Sequence, residues 1–153
     1  MKNEGKRFEE DFKNSIPDEY FYYRFRDGTA SWDGGSARFQ MKNICDCMVM
    51  NQNYLMLFEL KSTKQKSLPF SMVDKKNLDA LVDASMHLHS NVEPLFIVNF
   101  RTIEKTYQID AKRVQWYMNH AERKSIPLEY FEAHGTVIKQ VKKRVRYRYF
   151  MFD

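Results

Sequence analysis

The chain has 153 residues, 43% of them hydrophobic and 15% aromatic, with a formal charge of +5 at neutral pH. This length and composition predict one compact domain that spans residues 1–153. No run approaches the roughly 20 apolar residues of a membrane span, and the charged first segment lacks the apolar core of a secretory signal. We therefore expect a cytoplasmic protein without a membrane partner, and the basic excess favours a polyanionic partner.

The first quarter of the chain predicts a helix, an extended segment and a loop. Apolar residues recur at every fourth position in residues 4–15, ahead of a proline, which is the pattern of an amphipathic helix. The aromatic run of residues 20–25 predicts an extended segment. A loop rich in Gly and Ser, residues 27–36, follows and includes Trp32.

Two apolar runs, residues 44–50 and 54–60, predict a β-hairpin whose turn is the polar segment 51–53. Both faces of this hairpin are apolar, so a charged residue within it needs an explanation. Cys45 and Cys47 fall two residues apart on the first strand, which is an awkward geometry for a disulfide. We expect reduced cysteines that line the core.

The rest of the chain alternates helix and strand patterns, which is typical of an α/β fold. We predict a helix over residues 74–89, a strand over 95–100, a strand over 107–109, a helix over 111–122 and an extended stretch over 144–149. Asp110 is a suitable N-cap for the last helix. Basic residues crowd the segment 139–148.

Two carboxylates oppose one another in the predicted hairpin. When the turn is centred on Gln52 and Asn53, counting back along both strands places Asp46 directly across from Glu59. Directly opposed residues have Cβ atoms about 4.5 to 5.5 Å apart, so the two charges repel one another. A divalent cation with a preference for oxygen ligands, Mg²⁺ or Mn²⁺, would offset that repulsion.

Lys61 lies two residues after Glu59, so both side chains fall on the same face of the strand. This placement aims the Lys61 ammonium group at a bound phosphate. Together, Asp46, Glu59 and Lys61 predict a phosphodiesterase site. The alternative is structural: Asp46 is a polar residue at a strand end, and Glu59 and Lys61 form an exposed ion pair on an edge strand. The apolar surroundings favour the functional interpretation, because uncompensated carboxylates are costly there.

An acid followed by E-x-K on the next strand, with a helix before and a helix after, resembles the PD-(D/E)xK nuclease fold. More narrowly, the chain resembles the RecU-type Holliday junction resolvases. The matching motifs are G-x-x-F-E at residues 5–9, Tyr-Tyr-Arg at 22–24, Phe-Glu-Leu-Lys at 58–61 and Leu-Pro-Phe at 68–70. The short segment between Tyr23 and Asp46 is similar to that of the compact, phage-encoded members found in bacterial host cells.

The resemblance implies a restriction-endonuclease-like α/β domain, with a mixed central sheet flanked by helices. It implies a homodimeric Mg²⁺- or Mn²⁺-dependent endonuclease that cuts opposed strands of a four-way DNA junction in recombination and repair, with no small-molecule cofactor. By position, Asp46 and Glu59 become metal ligands and Lys61 the catalytic lysine. Glu9 on the first helix becomes an accessory carboxylate near the metal, unless its neighbour Glu10 takes that role.

Other residues near the predicted site are further candidates. Asn77 stands where the family commonly has a glutamine on the helix after the basic stretch, so it is a third candidate metal ligand, with a shorter side chain. Basic residues around the loop and the active strand are candidates for contacts with phosphates. These are Arg24, Arg26, Arg38, Lys64 and Lys66.

Two other functions stay open at this point. One is a different PD-(D/E)xK nuclease of the restriction or repair type, since the catalytic residues are shared across substrates. The other is a non-catalytic, basic DNA-binding protein in which the carboxylate pair is structural. The second alternative predicts DNA binding that falls steeply with salt and no cleavage with any metal.

Overall fold

A computed structural model describes residues 3–26, 43–87 and 91–152. Its helices are α1 (Glu4–Asn14), α2 (Lys75–His87), α3 (Ala111–His120) and α4 (Leu128–His134). Its strands are β1 (Phe21–Arg24), β2 (Cys47–Met50), β3 (Leu55–Thr63), β4 (Ser67–Pro69), β5 (Val92–Phe100), β6 (Lys105–Asp110), β7 (Ser125–Pro127), β8 (Thr136–Lys143) and β9 (Arg146–Phe150). Short 3-10 turns occur at Phe70–Met72 and Arg101–Ile103.

Seven strands form one mixed sheet in the order β1-β2-β3-β5-β6-β8-β9. The central strands β3 and β5 run parallel, and the other neighbouring pairs in this sheet are antiparallel. Parallel neighbours need a long crossover, and α2 lies in the connection between β3 and β5. β4 and β7 pair with one another outside this sheet.

Helices cover both faces of the sheet, so the domain has three layers. On one face, Phe8 and Phe12 of α1 pack with Phe58 of β3 and Tyr149 of β9, and we call this cluster the α1 core. On the other face, buried residues of α2, α3 and α4 pack against β3, β5 and β6, and we call this cluster the α2–α4 core. The predicted α/β fold with a mixed central sheet is confirmed.

Most of the predicted elements are present. The predicted helices correspond to α1, α2 and α3, and Asp110 caps α3 by accepting a hydrogen bond of 2.8 Å from the backbone amide of Lys112. The predicted hairpin has the expected register from Met50 opposite Leu55 to Cys47 opposite Phe58, but the predicted direct opposition of Asp46 and Glu59 is wrong, because Asp46 also bonds to Phe58. The loop at residues 27–36, with Trp32, lies outside the described residues. No described helix is long and apolar enough to cross a membrane.

The first strand of the hairpin is shorter than the sequence predicts. Its regular ladder ends where Cys47 faces Phe58, yet the Asp46 amide also donates to the Phe58 carbonyl at 2.9 Å. Asp46 and Cys47 therefore both oppose Phe58, and this extra residue bends the strand as a β-bulge does. As a result, Cys45 lies in the α2–α4 core and Cys47 in the α1 core, although regular alternation would put both on one face. Both cysteines are free and buried, as predicted.

The C-terminal stretch also differs from its prediction. The sequence pattern predicts extended structure over residues 144–149, but Arg144 has a φ of 60°, in the left-handed region. Arg144 therefore lies in the turn between β8 and β9, and the alternation begins only at Arg146. The basic segment is a hairpin whose two strands close one end of the sheet.

Candidate active site

Asp46 is held in place by the backbone of both neighbouring strands. Its carboxylate Oδ2 accepts a hydrogen bond of 2.7 Å from the backbone amide of Leu60 on β3. Its carbonyl accepts one of 2.9 Å from the Phe25 amide, and its own amide donates to Phe58 at 2.9 Å. The bend at the end of β2 thus brings the carboxylate to the β3 backbone between Glu59 and Lys61.

Glu59 and Lys61 lie side by side on β3, as the spacing of two residues predicts. The Lys61 Nζ atom is 2.9 Å from Glu59 Oε1, and the two side chains are only 20% and 17% exposed, respectively. A structural ion pair on an edge strand is excluded, because β3 lies between β2 and β5 within the sheet. This pair is therefore largely shielded from water, and its charges act more strongly than they would on the surface.

The electrostatics of the site disfavour two ionised carboxylates. Burial raises the pKa of Asp46 above its ordinary value. Burial also raises the pKa of Glu59 to about 7, and the negative charge of Asp46 adds to this shift while Lys61 opposes it. A site that accumulates buried negative charge is suited to a cation.

Glu9 and Glu10 of α1 point to different partners. Glu9 Oε2 pairs with Arg24 on β1, at 3.0 Å from Nη2 and 3.3 Å from Nε. The charge of Glu9 also raises the pKa of both Asp46 and Glu59, so it lies within electrostatic reach of the site. Glu10 forms an ion pair of 2.9 Å with Arg146 on β9. This arrangement favours Glu9 as the accessory carboxylate.

Asn77 lies in the first turn of α2. Its backbone amide donates to Asp74 Oδ1 at 3.2 Å, and its side chain is half-buried. Its role as a metal ligand stays a prediction. Across residues 3–26, 43–87 and 91–152, no three His, Cys, Asp or Glu side chains form a group that could hold a metal ion.

The residues predicted to contact DNA have different environments. The side chains of Arg26, Lys64 and Lys66 are exposed. The segment that carries the two lysines is fixed through its backbone, since the Lys66 carbonyl accepts a hydrogen bond from the Leu128 amide at 3.1 Å. Arg24 is engaged by Glu9, and Arg38 lies outside the described residues. The role of Arg24 in positioning Glu9 has no signal in the sequence, because the pair joins separate elements.

The mixed sheet with flanking helices is a restriction-endonuclease-like fold, and the acid, Glu and Lys at its centre match the PD-(D/E)xK pattern that the sequence predicts. The family model described as RecU, Recombination protein U, matches residues 7–151. The chain therefore belongs to the RecU family of Holliday junction-resolving nucleases.

One curated relative and one solved structure agree with this assignment. The SPbeta prophage-derived uncharacterized protein YotM of Bacillus subtilis (strain 168) is 33% identical over 165 residues, covering 97% of this chain and 83% of the relative. The structure of Hjc, a Holliday junction resolvase from Archaeoglobus fulgidus, aligns with a TM-score of 0.54 and 15% identity, covering 85% of this chain and 93% of that one. At this identity, the likeness to Hjc shows the fold alone.

Proposed function

We propose that this chain is a divalent-metal-dependent endonuclease that resolves four-way DNA junctions by paired symmetric nicks. One observation carries the proposal: the Asp46 carboxylate is fixed to the β3 backbone at Leu60, the residue between the half-buried Glu59 and Lys61. A purely structural role gives no reason to bury two carboxylates this close together. Phosphodiester hydrolysis gives one, because it needs concentrated positive charge next to the scissile phosphate.

Asp46 and Glu59 would hold the cation, and Asn77 is a further candidate. Mg²⁺ commonly uses one or two carboxylates together with waters and substrate phosphates, so two carboxylates without a full protein cage suit it. Because Asp46 Oδ2 already accepts the Leu60 amide, its other carboxylate oxygen has the greater capacity to bind a cation. When bound, the cation activates a water molecule and neutralises charge on the phosphate.

Lys61 and Glu9 would complete the site. The Lys61 ammonium is held 2.9 Å from Glu59, and it can donate to a non-bridging phosphate oxygen as charge develops there. Glu9, fixed by Arg24, would orient the attacking water or accept its proton. The positions of both groups are set before substrate binds, which reduces the cost of organising the site.

A homodimer would allow two symmetric cuts in one junction, because each subunit supplies one site. The end of the sheet at β1 supports this assembly. Phe21, Tyr23 and Met50 are large apolar residues that are 52%, 46% and 42% exposed there. Phe21 lies directly opposite Met50, so the two share one face. A second copy of the chain would cover this apolar edge.

The proposed substrate is tested by a panel of labelled four-way junction, flap and duplex DNAs in Mg²⁺ or Mn²⁺. The proposal predicts paired nicks at symmetric positions of opposed junction strands and little cutting of duplex. Equal cutting of all three DNAs would indicate a general nuclease. Junction binding without cutting, in either metal, would contradict the proposed activity.

A further inference from the structure

β8 and β9 form a hairpin with two different faces. Opposed residues in an antiparallel pair share a face, and the register pairs Lys139 with Phe150, Val141 with Arg148 and Lys143 with Arg146. The other face carries Ile138 and Tyr149, which are buried in the α1 core. At Lys139, Val141 and Arg148 the first face therefore points away from α1, whereas Arg146, next to the turn, reaches Glu10 and Asp11 of α1.

We call this outward side the basic ribbon face and define it by Lys139, Val141, Lys143, Arg148 and Phe150. The first four side chains are exposed, and Phe150 is half-buried. Val141 is 46% exposed, so apolar surface is interleaved with the three cations. At the start of β8, the acidic Glu132 of α4 lines the same surface pocket as Thr136 and Val137.

The three cations of this face are not neutralised by carboxylates. In the part of the chain that the structure describes, no ion pair involves Lys139, Lys143 or Arg148, whereas neighbouring cations of the same hairpin pair with acids of α1 or of the β5–β6 connection. Lys139 Nζ and Arg148 Cζ instead lie 5.5 Å and 5.1 Å from the ring centroid of Phe150. Cation–π contacts fix the direction of a charge without cancelling it.

We propose that the basic ribbon face is a second DNA-binding surface, which contacts the sugar–phosphate backbone of a duplex arm. At about 3.4 Å per residue, Lys139 and Lys143 are roughly 14 Å apart along β8, which is similar to the roughly 12 Å width of the major groove. Arg148 is held over the Phe150 ring, and the face carries no Asn, Gln, Asp or Glu that could read base edges with it, so we expect contacts with phosphates rather than with particular bases. Insofar as the arm belongs to a branched substrate, this inference rests on the proposed function.

The test compares the triple variant Lys139→Gln, Lys143→Gln, Arg148→Gln with the wild type. Junction binding is measured in EDTA between 50 and 200 mM salt, so that no cleavage can occur. A control with the same loss of net charge replaces the exposed lysines Lys6, Lys76 and Lys112 by Gln. If three phosphate contacts are lost, the negative slope of log affinity against log salt concentration becomes shallower by about 2.7. The ratio of wild-type to variant affinity is then about 40-fold larger at 50 mM than at 200 mM salt.

We expect the control to keep the wild-type slope within error. We expect a variant that exchanges the cations (Lys139→Arg, Lys143→Arg, Arg148→Lys) to keep it as well. Single-turnover cleavage at saturating enzyme should change less than twofold in the triple variant, because the catalytic residues are untouched. Circular dichroism would show whether each variant is folded.

An unchanged slope in the folded triple variant overturns the inference. Binding to anionic phospholipid vesicles is measured in parallel. A triple variant that loses vesicle binding without any loss of DNA binding would also overturn the inference. If the wild type cuts no DNA at all, the proposed activity fails while the binding comparison still tests the ribbon face.

Discussion

The carboxylate of Asp46 accepts a hydrogen bond of 2.7 Å from the backbone amide of Leu60, the residue between Glu59 and Lys61. We predict that Asp46→Asn is more stable than Asp46→Ala by about 1 to 3 kcal/mol, because Asn keeps an acceptor for this partly buried amide and Ala leaves it unpaired. Thermal or denaturant unfolding of the two variants in EDTA measures the difference. Equal stabilities would show that the bond does not hold the bend in place.

Glu59 makes the stability of the metal-free protein depend on pH. Its pKa is about 7, above the ordinary value of 4.5, because of burial and the neighbouring Asp46 charge. Because the pKa is higher in the folded state, protonation of Glu59 stabilises the folded protein. This stabilisation is complete below pH 4.5 and is lost as the pH rises through 7. The expected decrease in the free energy of unfolding is about 3 kcal/mol at most.

Urea unfolding in EDTA at pH 5 and pH 8 measures this effect, and Glu59→Gln is the matched control. The variant should lose most of the pH dependence and be more stable than the wild type at pH 8. It should nevertheless be inactive in cleavage. A wild type that is more stable at pH 8 than at pH 5 in EDTA, with Glu59→Gln the same, would contradict the buried-charge explanation.

Glu9 and Glu10 provide a matched pair of variants on one helix. We predict that Glu9→Gln lowers the single-turnover cleavage rate by about 10- to 100-fold, because Glu9 lies within electrostatic reach of Asp46 and Glu59 and, in the proposed function, acts on the attacking water. Glu10→Gln should stay within about twofold of the wild type, since its ion pair with Arg146 is partly exposed and involves none of the proposed catalytic residues. Rapid-quench assays at saturating enzyme measure both rates. The reverse order would assign the accessory role to Glu10.

The apolar edge at β1 predicts a dimer interface. We expect the double variant Phe21→Lys, Tyr23→Lys to be monomeric in sedimentation velocity at concentrations where the wild type is a dimer, because unpaired lysines cannot be buried at low cost. It should nick junctions one strand at a time. The control Val137→Lys, Val145→Lys places the same charges on exposed valines outside β1 and outside the basic ribbon face, and it should stay dimeric. A double variant that still forms dimers would place the interface elsewhere.

The hairpin register could be predicted from sequence because a short polar turn and two apolar runs allow few alignments. Cys47 does face Phe58 as the counting requires. The bend at Asp46 could not be predicted, since it depends on the Asp46 amide donating to Phe58 and on the carboxylate reaching Leu60. These bonds form only once β2 and β3 are paired. The sequence therefore predicts the candidate site residues but not the contact between Asp46 and the backbone of Leu60.

Three other strands, β4, β7 and β8, were harder to predict for a different reason. β4 and β7 have only three residues each and pair across a long separation, so neither shows a periodic pattern of its own. β8 has a single buried residue, Ile138, and its other side chains are partly or fully exposed. Without an apolar stripe, a strand is defined by the neighbours with which it pairs.

The most direct test of the account is single-turnover cleavage of a four-way junction by wild type, Asp46→Asn and Lys61→Ala in Mg²⁺, with binding measured in parallel in EDTA. The account predicts paired symmetric nicks by the wild type, a loss of rate of about 100-fold or more in each variant, and junction affinity within a few-fold of the wild type. Cleavage at the wild-type rate by both variants would contradict the assignment of Asp46 and Lys61 to the active site.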